Sequence, residues 1–285
     1  MNEESNKLNR RSFLKTAAGV TLGAAIPSGI STAQQTGQNS LQVWSCGGLA
    51  EALIPAHKLF QEKTGVEVSY TGAFAAALGK SLLGSASTEV FCGRVLDLAK
   101  KLRASDKMVS FKHLCFTSYV IVTPPGNPAG IKAIEDLAKP GVKVILSPGA
   151  SPPGGDAAMG ILKKAGIYEE VMQNCIIKSS CVQRAMKTLV DGKGDASVVE
   201  KRLTRMSLFK DRSEIIPIPE KFFPPGPLTF TIGIMKYAKD PKLAANYVNF
   251  IRSEEGQNFF EAAGFIPSTS AKGRELVEKL GVQDA

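Results

Sequence analysis

LQVWSCGGLAEALIPAHKLFQEKTGVEVSY, residues 41–70, decides the fold. Residues 41–45 form an apolar run of strand length, 47–63 an amphipathic helix, and 66–70 a second strand. The same alternation continues outward. Helices are expected at 74–83, 95–103, 156–165, 182–190, 241–253, 255–263 and 271–280, and strands from 89 and at 118–123, 143–146, 176–178, 196–199, 215–218 and 228–235. Strand–helix–strand order of this kind predicts an α/β fold with mainly parallel sheets, because parallel neighbours need a crossover and a helix supplies it.

Two segments interrupt the alternation. Residues 118–125 end at Pro124-Pro125-Gly126, and residues 224–235 open on Pro224-Pro225-Gly226-Pro227. Read as crossovers, they divide the chain into one lobe of residues 41–117 and 228–285 and a second lobe of residues 118–227. A ligand then belongs in the cleft between the lobes, beyond the carboxyl ends of the strands.

Ahead of this, Asn9-Arg10-Arg11-Ser12-Phe13-Leu14-Lys15 is followed by an apolar run over 17–30 and the small-residue exit Ser31-Thr32-Ala33. That order is a twin-arginine export signal, with cleavage expected after Ala33 and residues 34–40 left as a linker. The apolar run is too short, and too rich in Gly and Pro, to remain as an anchor. No Cys near the exit invites lipid attachment. The expected compartment is the periplasm, reached through the twin-arginine translocase, which accepts folded chains.

The whole chain carries a formal charge of +9 over 285 residues. The signal takes away four basic and two acidic residues, leaving about +7 on the mature chain. No basic run is interleaved with aromatics, so nucleic acid is not an expected partner. A mild positive field that draws small anions fits better. Five cysteines are an odd number for an oxidising compartment. None forms a CxxC pair, although Cys175 and Cys181 are close enough in sequence to bridge.

Several stretches, in order over most of the chain, resemble the type II periplasmic solute-binding proteins of ABC importers, and among them the molybdate- and tungstate-binding branch. Leu41-Gln42-Val43-Trp44-Ser45-Cys46-Gly47-Gly48-Leu49 is similar to the opening strand and first ligand loop, and Phe60-Gln61-Glu62-Lys63-Thr64-Gly65-Val66-Glu67-Val68 to the first-helix end and second strand. Glu89-Val90-Phe91-Cys92 stands where that family has an Asp-containing strand. Tyr119-Val120-Ile121-Val122-Thr123-Pro124, Gly192-Lys193-Gly194-Asp195-Ala196, Gly256-Gln257-Asn258-Phe259-Phe260 and Gly264-Phe265 are similar to its first crossover, a loop before a strand of the second lobe, and its terminal helix and turn.

The resemblance implies a two-lobed α/β fold that closes over a small ligand, docks on a permease and performs no chemistry; a monomer is expected. It also implies that helix N-termini converge on the cleft, where unpaired backbone N–H groups hold an anion. Four loops offer themselves: Cys46-Gly47-Gly48, Gly72-Ala73, Ser151 to Pro153, and Cys181-Val182. Against the family pattern, Cys46 replaces a hydroxyl residue, Gly72 or Ala73 replaces a serine, and Glu200 stands where a tyrosine commonly reaches the ligand. A buried carboxylate facing an anion is repulsive. An alternative follows from Cys46, Cys92 and Cys181 near strand ends: a soft-metal or iron–sulfur site on the same scaffold, for redox, sensing or metal handling. A Cys46–Cys181 or Cys46–Cys92 disulfide, or simple burial as for Cys115, would also account for these cysteines. His57 and His113 stand in no triad order, and no GxSxG elbow or phosphate-binding glycine fingerprint is present.

Overall fold

Why the opening stretch forms a sheet centre is visible in its burial. In a computed structural model, which describes residues 39–150, 152–224 and 226–282, strand β1 (Ser40–Cys46) buries Leu41, Val43, Ser45 and Cys46. It lies between β2 (Glu67–Ala73) and β3 (Val90–Arg94), parallel to both. Every residue of β3 is buried, as expected for a strand covered on both faces. Strand β2 is the sheet edge and largely exposed. A short helical turn at Gly47–Leu49 leads into α1 (Ala50–Thr64), which ends at Gly65 with φ +69°, the left-handed stop that glycine adopts without strain. Beyond it come α2 (Ala75–Leu83) and α3 (Leu96–Ala104).

The chain then runs through β4 (Met108–Phe116) and β5 (Tyr119–Thr123) into β6 (Val144–Leu146), α4 (Gly154–Lys164), α5 (Tyr168–Gln173), β7 (Cys175–Lys178), α6 (Val182–Val190), β8 (Ser197–Glu200) and β9 (Glu214–Pro217). It returns through β10 (Thr229–Met235) to α7 (Pro241–Arg252), α8 (Glu254–Ala262), β11 (Ile266–Pro267) and α9 (Ala271–Lys279). The six-stranded sheet has the order β11-β4-β10-β3-β1-β2 and draws on both ends of the chain. The middle of the chain supplies β8-β5-β9 and the pair β6-β7, which an isolated bridge between Val144 and Ala196 links to the β8 segment. The chain leaves the first sheet between Phe116 and Tyr119 and re-enters it at Thr229. The two passages touch, since the Thr117 N–H donates to the Leu228 carbonyl at 2.9 Å.

The fold is the expected α/β class, with one correction of detail. Among the named strands, parallel pairing is confined to β1–β2, β1–β3 and β6–β7; β10 runs antiparallel to β3 and β4, β11 antiparallel to β4, and β5 antiparallel to β8 and β9. Strand β10 returns from the middle of the chain and inserts between β3 and β4, running opposite to both, whereas β4 and β11, each reached through helices, keep the directions of β3 and β10. The nine-residue strand β4 carries His113 and Cys115.

The largest core packs Leu41, Val43, Leu53 and Phe60 against Tyr247, Val248, Ile251 and Phe260, joining the first and last thirds of the sequence. Among the described residues no helix is long and apolar enough to cross a membrane. The export signal and its cleavage point lie outside the described residues.

Candidate functional site

Two pairs of loops form at the carboxyl ends of strands. Register pairs Ser45 with Gly72 and Cys46 with Ala73, so the first and second predicted loops are neighbours. Gly47 lies beside Ala73, so that a Cβ there would be in ordinary contact, 3.5 Å, with the Ala73 carbonyl oxygen. Gly47 and Gly72 are exposed, and Ala73 is half-buried. In the middle of the chain, Pro153 caps α4 and Cys181 caps α6. A Cβ on Gly154 would meet Val182, and one on Gly149 would meet Ser180, so these loops also lie side by side. The Cys181 N–H donates to Ser179 Oγ at 3.1 Å, while Ser179 Oγ donates to the Cys181 carbonyl at 2.9 Å. Ser151 lies outside the described residues.

Glu200, at the end of β8, is where the structure departs most from the sequence-based expectation. It is buried, but it faces cations. Its Oε1 lies 2.6 Å from Arg94 Nη2 at the end of β3, and its Oε2 accepts from Arg202 Nε at 2.6 Å. Tyr119 Oη adds a contact at 3.5 Å to Glu200 and accepts from Arg94 at 3.0 Å. Burial alone would push the Glu200 carboxyl up, but the two guanidiniums outweigh it and hold it down at about 2. Arg94 and Arg202 are in turn held protonated: burial opposes their charge, and Glu200 overcomes that opposition. The repulsive carboxylate expected from sequence is therefore an internal counter-ion. In the sequence Arg94 and Arg202 each read as an ordinary cation; the only local signal is Arg94 two residues after Cys92 and Arg202 two after Glu200.

Arg202 also ties this cluster to the first loop. Its guanidinium lies over the backbone of Gly48, where a Cβ would come within 3.2 Å of Cζ and Nη2. Gly48 has no side chain to obstruct it. The neighbouring thiol of Cys46 accepts from the Gly48 N–H; burial pushes the thiol up, against the opposing pull of that N–H and of Arg94 and Arg202. Cys46 is thus a buried thiol and not an exposed nucleophile.

The cysteines are not brought together as a metal site. Cys92 and Cys115 are fully buried and share the first core with Cys46, whereas Cys181 caps α6 in the middle of the chain. All five cysteines are free. Among the described residues no group of three His, Cys, Asp or Glu side chains is placed to hold a metal ion. The physical reason is burial: Cys92 packs on the apolar side of a strand that has no solvent-facing surface. His57 Nε2 lies 2.7 Å from Tyr247 Oη inside the core, and His113 Nε2 lies 2.8 Å from Arg252 Nη2. Two cavities, of about 50 and 230 Å³, lie along α9 and the passages between sheets, and share no residue with the four loops.

Residues 41–266 match the family described as bacterial extracellular solute-binding protein, and residues 7–27 match the twin-arginine translocation pathway signal sequence. A curated relative, the molybdate-binding protein ModA of Mycobacterium tuberculosis, is 23% identical over 260 residues, covering 89% of this chain and 95% of its own. The solved periplasmic molybdate-binding protein of Azotobacter vinelandii superposes with a TM-score of 0.66 at 17% identity, over 79% of this chain and 98% of that one. A substrate-binding domain from Clostridium difficile, assigned to a molybdenum ABC transporter, superposes with a TM-score of 0.70 at 19% identity, over 80% and 98%.

Proposed function

Because this chain belongs to the bacterial extracellular solute-binding protein family, and is exported to the periplasm as the solute-binding component of an ABC transporter, we propose that its ligand is a molybdate- or tungstate-like oxyanion. The ligand sits between the Cys46–Gly48 and Gly72–Ala73 loops on one side and the Ser151–Pro153 and Cys181–Val182 loops on the other. Residues 41–117 with 228–285 form one lobe and 118–227 the second, and they close by a hinge at the two passages. The closed monomer docks on its permease without carrying out chemistry.

The observation that carries this reading is the double compensation of Glu200. The carboxylate that the sequence set against an anion is neutralised by two arginines, each 2.6 Å from one of its oxygens. The glycine-rich loops support it, since glycine lets backbone N–H groups approach a ligand closely. The binding-only reading is supported by the histidines, which are bonded to Tyr247 and Arg252 and not to a nucleophile.

The test is calorimetric titration of the mature chain, from residue 34, with molybdate, tungstate and sulfate. Binding of at least one with a 1:1 stoichiometry is expected. Absence of heat for all three, confirmed by an unchanged melting temperature, removes the oxyanion assignment.

A further inference from the structure

The cluster around Glu200 has an unspent side. Arg202 is engaged with Glu200 through Nε alone, at 2.6 Å. Its two terminal amino groups make no other hydrogen bond among the described residues. Nη1 is 4.0 Å from Glu51 Oε2, beyond hydrogen-bond range, and that oxygen is itself buried with no hydrogen-bond partner among the described residues. The side chain is 10% exposed, and its terminal nitrogens keep some contact with solvent. Such N–H groups, with no protein partner, can exchange their contact with water for charge-assisted bonds to an anion that enters the cleft. The first ligand loop flanks this guanidinium, whose face lies against Gly48.

We propose that Arg202 is a ligand-contacting specificity determinant, whose terminal fork takes oxygens of the anion bound at the Cys46–Gly48 loop. This rests on the oxyanion reading above and deepens it. The chemistry selected is an anion with two oxygens on one centre, which the planar fork can bind side by side. Glu200 and Arg94 act as positioning residues, holding the guanidinium through Nε and leaving its terminal amino groups beside the loop. Glu51 is the fork's resident competitor. Recognition then uses formal charge as well as neutral amide donors, and a neutral solute of the same size is rejected for want of an acceptor pair.

The experiment compares the wild-type mature chain with Arg202→Gln and Arg202→Lys, titrated with molybdate and sulfate at 20 and 200 mM sodium chloride, alongside thermal melts by circular dichroism. Arg202→Gln is expected to weaken binding about 10- to 100-fold, the range of a charge-assisted hydrogen bond. Its affinity should also depend less on salt than the wild type's, because a charge has gone from the site. Arg202→Lys, which keeps the charge without the fork, should fall between the two. If Arg202→Gln does not fold, Arg202→Lys decides alone: weakening of several-fold supports the assignment, and wild-type affinity overturns it. A folded Arg202→Gln with wild-type affinity overturns it, as does weakening with unchanged salt dependence, which marks a merely structural role. A wild-type chain that binds neither anion takes down the oxyanion reading together with this one; binding by the wild type with Arg202→Gln unaffected takes down only this one.

Discussion

At the residue scale, Glu200 shows how one buried charge changes meaning with its neighbours. Both its oxygens are engaged by guanidiniums, and Arg94 also lies 5.2 Å from the ring centre of Phe230. Arg94→Met should destabilise the fold by about 3 kcal/mol in denaturant unfolding, because it strips a buried carboxylate of half its compensation; adding Glu200→Gln should restore part of the loss. His57 makes a separate, pH-dependent contribution. Burial pushes it down to about 4 from an ordinary 6.5. The unfolded chain therefore binds its proton first as pH falls. The stabilisation is complete above pH 6.5 and lost as pH drops towards 4, on the order of 3 kcal/mol across that interval. Melting temperatures between pH 7 and 4 should fall with this slope in the wild type and be flatter in His57→Gln. The sequence places His57 in the helix expected at 47–63, a position open to either a solvated or a bonded imidazole. Its partner Tyr247 is 190 residues away, so local reading could not choose between the two.

At the element scale, helix boundaries were the most legible feature, because capping chemistry is local. Asp240 accepts from the N–H groups of Lys242 and Leu243, ahead of Pro241 at the first turn of α7. Ser253 and Ser270 accept in the same way at α8 and α9. Asp240→Ala should cost about 1 kcal/mol, read as a lowered melting temperature with the ligand affinity unchanged. Strands were less legible. In β4, Phe111 and the run from Leu114 are buried while Val109 and Lys112 are exposed, a pattern interrupted by half-buried Ser110 and His113. Its length is fixed by pairing with β10, which includes two register shifts, and no local signal reports that. The two-residue β11 has even less signal, being defined only by its pairing with β4.

At the scale of the molecule, export precedes everything else. Changing Arg10 and Arg11 together to Lys should leave the precursor in the cytoplasm, seen by fractionation and immunoblotting as loss of the periplasmic mature form. Once folded, the chain joins its two ends in one sheet, while its middle forms the other sheets. The sequence by itself determined the export route, the α/β class, the positions of most helices and the glycine-rich loops, because each of these is written in local order: a charge pair before an apolar run, apolar periodicity, caps and turns. Only the tertiary structure decided which strands run antiparallel and that the cysteines are scattered through core and cap. It alone brought Arg94 and Arg202 to opposite oxygens of Glu200. Those outcomes depend on contacts between residues far apart in sequence, and the electrostatic meaning of a buried charge is set by whatever the fold places within a few ångströms of it.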